Sequence, residues 1–418
     1  MRLVYNTLLF IGLLFSLPLI FWKMGKYKKY RSTFWEKIGI KLPVISCPRD
    51  LKRIWVHTVS LGETKALVPL IQKLQKERPD LLIVFSSTTE TGLQEARRSL
   101  PHLSSYFLFP LDFSWTIKRL VRRIDPALLI LGESDFWYNL LTLVPQVALV
   151  NGKLSERSAK RFKWVPFFTK KLFARFKVLC VQSELYKQRF ISLGIEPHKI
   201  VSTGNLKFDQ IIPPINSEIE RARLGISPSD LVITLASTHA PEEEELIRAL
   251  RPLFNQFASL KLLLAPRHPE RFPLVAKLLE KTGLSFAHYS DPDVSHKAKH
   301  CQIILIDTIG FVGTCYQLSH LAIVGGSFGS KLGGHNIFEP VSVGVPVVFG
   351  PYMHAQKDLT DLILSSHVGF QVPIEKLEGL IHTLLSQPLA PIRDSALKFA
   401  GTMQGSTQRT WDNIKHLF

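Results

Sequence analysis

Apolar residues recur along most of this chain in two rhythms. From Arg53 onward, short apolar runs alternate with stretches in which apolar positions return every third or fourth residue. The first rhythm suits strands buried on both faces, the second amphipathic helices. It predicts strands over 54–59, 81–86, 106–110, 127–131, 146–150, 178–181 and 200–203, with helices over 63–76, 89–99 and 117–123 among them. The rhythm breaks over 209–217, where Pro213-Pro214 reads as a linker. A second alternation follows, with strands over 231–235, 261–265, 303–306, 321–324 and 345–349. Strands alternating with helices imply parallel sheets covered on both faces, and such sheets bind ligands beyond the carboxyl ends of their strands.

The N-terminus follows neither rhythm. Residues 3–22 carry no charge and are long enough to cross a bilayer, and Lys23, Lys26, Lys28, Lys29 and Arg31 follow at once. The basic cluster would hold the rest of the chain on the cytoplasmic side of a single-pass anchor. The even hydrophobicity argues against the alternative, a helix lying in the interface with one polar face. The expected organisation is therefore an anchor with its basic flank over 1–31, an N-terminal Rossmann-like domain over 32–207, a linker over 208–222, a second Rossmann-like domain over 223–392, and a C-terminal helical segment over 393–418 that packs back on the first domain. Two doubly wound α/β domains facing a cleft describe the GT-B class.

The 418 residues suffice for two hydrophobic cores, and a formal charge of +18 without long like-charge runs points to an anionic partner. Cys47, Cys180, Cys301 and Cys315 show no paired spacing and read as reduced thiols rather than disulfides or metal ligands. Between 160 and 177, Lys160, Arg161, Lys163, Lys170, Lys171, Arg175 and Lys177 are interleaved with Phe162, Trp164, Phe167, Phe168, Phe173 and Phe176. That composition suits a second contact with an anionic membrane surface, or an amphipathic helix packed on the domain. Single-stranded nucleic acid would also suit it, but the neighbouring anchor favours lipid.

Candidate chemistry sits where predicted strands end. Glu63, in Ser60-Leu61-Gly62-Glu63, opens the helix after the first strand, where a carboxylate serves either as a general base or as a first-turn cap. Glu133 and Asp135 follow the strand over 127–131, and Lys207 follows the strand over 200–203. In the second half, Ser237 and Thr238, then Arg267 with His268, then Ile309, Gly310 and Phe311, each end a strand. Arg267 offers a fork matched to phosphate. The acids at 242–245 read as ordinary first-turn residues. Gly325-Gly326 through Gly333-Gly334-His335-Asn336-Ile337-Phe338-Glu339-Pro340 reads as a strand, a Gly-rich loop and a helix start. It would take a nucleotide, with phosphate on backbone N–H groups and Glu339 accepting ribose hydroxyls.

In order, S-L-G-E, G-E-S-D-F-W-Y-N, N-G-K-L-S-E-R-S, G-N-L-K-F-D, S-T-H, P-R-H-P-E-R-F and G-G-H-N-I-F-E-P resemble the landmarks of the Kdo (3-deoxy-D-manno-octulosonic acid) transferase family of lipopolysaccharide synthesis. The resemblance covers nearly the whole chain. It implies a GT-B enzyme of the inner membrane that moves Kdo from CMP-Kdo to a lipid A precursor with inversion, using no metal and no cofactor, and binding no nucleic acid. By the same resemblance Glu63 is the general base and Glu133 and Lys207 support the transition state. Arg267, His268, Ile309, Gly310, Phe311, Asn336, Ile337, Phe338 and Glu339 fall in the CMP-binding segments. The chain departs from the family at Ser134, Asp135 and Tyr138, at Gly152-Lys153 and at Phe311-Val312. Another GT-B nucleotide-sugar transferase or epimerase would share the Gly-rich loop without needing Glu63. A membrane-tethered protein that binds anionic lipid or nucleic acid would explain the charge and the aromatic residues but not the carboxylates and phosphate ligands at strand ends.

Overall fold

The computed structural model describes residues 1–26, 28–43 and 51–418. Cys47 and the side chains of Lys23, Lys28, Lys29 and Arg31 lie outside the described residues. The chain divides into unit 1, residues 1–210 with 403–418, and unit 2, residues 211–402.

Unit 1 begins with two helices, α1 (Arg2–Lys26) and α2 (Lys28–Lys37). Its sheet holds β1 (Arg53–Thr58), β2 (Leu82–Ser87), β3 (Ser105–Leu108), β4 (Leu128–Gly132), β5 (Val147–Gly152), β6 (Phe176–Val181) and β7 (Ile200–Ser202). All run parallel, in the order β3-β2-β1-β4-β5-β6-β7. Alternate residues serve opposite cores. Ile54, Val56, Leu128 and Ile130 join one cluster, while Trp55, Leu129 and Leu131 join the other. Two-sided burial is why these strands read as unbroken apolar runs. Helix α3 (Leu61–Glu77) lays Leu67, Leu70, Ile71 and Leu74 on the first cluster, a stripe at helical spacing.

Unit 2 repeats the plan with β8 (Leu231–Thr238), β9 (Leu260–Pro266), β10 (Phe286–His288), β11 (Ile303–Leu305), β12 (Leu321–Val324), β13 (Val347–Phe349) and β14 (Gly369–Gln371), in the parallel order β10-β11-β9-β8-β12-β13-β14. The edge strands β10 and β14 escape the hydrophobic pattern, because each has three residues of which one is buried.

The expected boundaries shift. Residues 208–222 are not a free linker: the helix Ser217–Arg223 forms there, and Ile212 and Ile215 pack on cores of unit 2. The tandem prolines interrupt the periodicity without preventing packing. The last segment is divided too, since the helix Ala390–Met403 belongs almost wholly to unit 2 and the return to unit 1 begins at 403. There Trp411 and Ile414 enter the core against α3, and the Asp209 carboxylate accepts from Gly405 N (2.8 Å) and Thr407 N. Trp411→Ala is expected to destabilise unit 1 by about 3–5 kcal/mol, read from the shift of its denaturant midpoint.

The basic aromatic stretch is not one amphipathic helix. It forms the helices Glu156–Lys163 and Pro166–Phe173 and then enters β6. Phe162, Phe168, Phe173 and Phe176 turn into the core, whereas Trp164, Val165 and Phe167 stay exposed. Cys180 and Cys315 are free and buried, and Cys301 is free and partly covered.

Candidate active site

The strand order reverses between β1 and β4 in unit 1 and between β8 and β12 in unit 2, where in addition β10 lies outside β11 at the edge. The loops leaving those strand pairs diverge, which opens a crevice at the carboxyl edge. Most residues singled out from the sequence lie near these two places, but Ile309, Gly310 and Phe311 follow β11, two strands away from β8.

In unit 1, β1 is followed by Ser60, whose hydroxyl caps α3 by accepting from Glu63 N (3.4 Å). The Glu63 side chain reaches back and accepts from Val59 N (2.8 Å). The cap and the functional reading therefore share one carboxylate, and the cap fixes its direction. Burial, then the charge of Glu133, pushes the Glu63 carboxyl up to about 7; the Val59 N–H and Lys153 pull the other way. A half-buried carboxyl with that proton affinity can take a proton near neutral pH.

Glu133 follows β4, 1% exposed and with φ 49°. Its Oε1 meets Lys207 Nζ at 2.9 Å and Asn151 Nδ2 at 3.3 Å, and its Oε2 pairs with Lys153. Burial alone would raise this carboxyl, but the two lysines outweigh it and hold it below its usual value. Lys153, at one departure from the family pattern, thus belongs to this ion cluster. Asn151, also at positive φ, locks the cluster by accepting from Leu206 N (2.9 Å), one residue before Lys207.

His57, in the middle of β1, was not singled out from the sequence. It is fully buried, with Nδ1 2.8 Å from Ser86 Oγ and Nε2 3.1 Å from Asp135 Oδ2. Asp135 Oδ2 also accepts from Trp137 Nε1 (2.5 Å) and Thr88 Oγ1 (3.4 Å). This places Asp135 in a supporting network behind Glu63 and Glu133. The available signal was a single imidazole in an otherwise apolar strand.

In unit 2, Gly326, Gly333 and Gly334 adopt positive φ. A Cβ on Gly326 would fall 2.6 Å from the His335 ring, so the loop needs glycine there for both conformation and space. His335 Nε2 lies 2.7 Å from His239 Nε2, and His268 approaches His239 edge-on with centroids 5.2 Å apart. Burial is the largest cause, with the neighbouring imidazoles and Arg267 adding to it, of both His239 and His335 being lowered to about 4. The pair therefore stays neutral at physiological pH and shares a proton as donor and acceptor.

Arg267 is exposed beside them at the end of β9, with no ion pair among the described residues. Asn336 Nδ2 donates to Glu339 Oε1 (3.2 Å), and Asn336 Oδ1 accepts from Phe338 N (3.1 Å). Ile337 and Phe338 point into the core instead of outward. The helix that follows, Phe338–Ser342, has only five residues, so it offers N–H groups more than a macrodipole. After β11, Ile309 and Gly310 are exposed, Gly310 has φ 91°, and Phe311 rests on Tyr289. Thr238 is buried against Glu243 instead of facing a ligand.

The acids read as ordinary first-turn residues prove more than that. Glu242 is buried, and its Oε1 accepts from both His239 N (3.0 Å) and Gly326 N (2.6 Å), tying the loops of β8 and β12 together. Glu243 pairs with Arg271.

The family described as "3-Deoxy-D-manno-octulosonic-acid transferase (kdotransferase)" matches residues 28–210. A protein named 3-deoxy-D-manno-octulosonic acid transferase from Chlamydia muridarum is 35% identical over 99% of this chain and 96% of its own length. One of the same name from Haemophilus influenzae is 30% identical over 99% and 98%. Among solved structures, UDP-GlcNAc 2-epimerase from Neisseria meningitidis bound to UDP-GlcNAc superposes with a TM-score of 0.60 at 12% identity, covering 87% of this chain and 100% of that one. A glycosyltransferase from Rickettsia africae gives 0.56 at 15%, covering 88% and 98%. At such identities the likeness is one of fold, the GT-B class with two Rossmann-like domains in one chain. The curated relatives decide the family: with a third of its residues shared over nearly its full length, this chain belongs to the 3-deoxy-D-manno-octulosonic acid (Kdo) transferases, which are glycosyltransferases.

Proposed function

We propose that the protein transfers Kdo from CMP-Kdo to a hydroxyl of a lipid A precursor at the inner membrane, with inversion, its catalytic units on the cytoplasmic side. The observation that carries this reading is the Glu63 carboxyl, pushed up to about 7 at the switch point of unit 1. The acceptor oxygen forms the new bond to the anomeric carbon, and its proton passes to Glu63. The bond from that carbon to the phosphate oxygen breaks, and its electron pair leaves with CMP. Glu133 fixes Lys207 and Lys153, whose charges face the carboxylate of the sugar and the charge developing on the reacting group. Arg267 and the N–H groups of Ile309, Gly310 and Phe311 receive the CMP phosphate, the role a metal plays elsewhere. Asn336 and Glu339 accept ribose hydroxyls, with Ile337 and Phe338 anchoring that turn and His268 beside the phosphate.

The test is mass spectrometry of products from purified protein, a lipid A precursor and CMP-Kdo generated in place. A mass increase of one or more Kdo units on the lipid is expected, and hydrolysis of CMP-Kdo without lipid modification would reject the reading.

A further inference from the structure

The sequence predicts that α1 crosses the membrane once. The structure ties its first turn, and the helix α2 that follows it, to the same globular unit. At the first end, Arg2 Nη2 donates to Thr142 Oγ1 (3.3 Å), and Asn6 Nδ2 donates to Ser114 Oγ (2.7 Å). Asn6 Oδ1 accepts from Asn139 Nδ2 (2.9 Å) and Ser114 N (3.3 Å). Between them the Tyr5 hydroxyl donates to Asp112, and its ring lies 5.2 Å from Tyr138, which stacks on Phe168 at 5.0 Å. Asp112 is itself held by Asn139 N (2.7 Å) and Leu140 N (2.9 Å). At the other end α2 is anchored as firmly. Lys37 Nζ donates to Thr88 O, Leu111 N donates to Lys37 O (2.7 Å), and Arg123 Nη1 donates to Pro43 O (3.0 Å).

Lengths decide what this allows. The 25 residues of α1 span roughly 37 Å. If they crossed a hydrocarbon core of roughly 30 Å, the chain would have to return to unit 1 through the ten-residue α2, roughly 15 Å long. It cannot do so, and α2 has the polar sequence KKYRSTFWEK. Yet α1 is too apolar for water, with Leu3, Val4, Phe10, Phe15, Phe21 and Trp22 all exposed. Along its length α1 borders a cavity of about 670 Å³, lined by Leu8, Leu13, Ile20, Phe34, Leu108 and Phe113.

We infer that α1 does not span the bilayer but lies in the plane of one leaflet, as a rail along the membrane-facing side of unit 1. Lipid chains cover its outer face and enter the cavity beneath it. Exposed Trp115 follows Ser114, which Asn6 binds, and exposed Phe167 precedes Phe168, which stacks on Tyr138 beside Tyr5. Lys170, Lys171 and Lys163, on the two helices around Trp164, meet anionic headgroups. A leaflet-bound acceptor thus reaches unit 1 without leaving the membrane.

The experiment uses the full chain in a bacterial inner membrane, with Cys47 and Cys301 replaced by Ser and one cysteine in a short extension before Met1. In intact spheroplasts a membrane-impermeant maleimide is expected to leave it unlabelled, with at least a tenfold rise after lysis and the protein sedimenting with membranes. Equal labelling before and after lysis would put that end of α1 on the far side and overturn the inference, as would recovery in the soluble fraction. Because protection alone reports only the side, a spin label at Phe15→Cys, with Cys47 and Cys301 replaced by Ser, reports depth in vesicles. The in-plane helix predicts about 5–10 Å below the headgroups. A label near the bilayer centre, about 15 Å deep, would overturn it. Neither readout depends on catalysis, so failure here and failure of the transferase reading are separable.

Discussion

Glu63→Ala is expected to lower the rate of Kdo transfer by about 10²–10⁴ while CMP-Kdo still binds. The acceptor hydroxyl is a poor nucleophile until its proton has somewhere to go, and Glu63 is the carboxyl at the switch point whose proton affinity suits that task. The pH profile gives a sharper test than the rate. A base must be ionised to act, so kcat/KM should rise with pH through an acid limb at about 7 and level off above it. Glu63→Gln should remove the limb with the rate. A limb that survives in the variant, or an unchanged rate, would move the base elsewhere. The same shift has a stability cost of definite sign. The folded carboxyl is raised above its unfolded value of 4.5, so ionising it opposes folding, and that penalty grows as pH rises from 4.5 to about 7. Glu63→Gln is therefore expected to be no less stable than the parent at pH 8, apart from its weakened cap on Val59 N. That separates lost chemistry from lost fold.

Most of this architecture is legible because doubly buried strands announce themselves as apolar runs. The three-residue edge strands do not, since the partner strand and not the side chains defines them. Glu63, Glu133 and Lys207 are legible from their positions at strand ends. What holds them is not. The link between His57 and Asp135 joins residues 78 apart, and Glu242 reaches Gly326 across 84. Local spacing carries no record of such contacts. At Glu242 and Glu243 the helix-start rule supplied a sufficient reason for acids and hid a second one. α1 shows the same limit at larger scale. Hydropathy reports that a segment avoids water, but only the hydrogen bonds of Arg2, Tyr5 and Asn6 report where its first turn is fixed.

Lys207→Met is expected to cost about 10²–10³ in kcat, with a much smaller change in KM, if its ammonium acts on charge that develops only as the bond to CMP breaks. A purely structural lysine would give a different pattern, with thermal stability reduced and the kcat of the surviving folded protein near normal. Glu133 supplies the means of separating the two. Its folded carboxyl lies below the usual value of 4.5, so the ion cluster contributes stability above that pH and loses it as pH falls through the folded value. With Lys207 gone, burial is opposed mainly by Lys153. The Glu133 carboxyl should bind its proton more readily, and acid unfolding should begin at higher pH. The loss stays moderate, about 1–3 kcal/mol, because Lys207 is 36% exposed and Lys153 still pairs with Glu133. Glu133→Gln completes the argument, since Glu133 is among the charges that raise Glu63. Removing that charge should carry the acid limb of transfer to lower pH even as the plateau falls, whereas a limb that stays where it was would show that the titrating base is not Glu63.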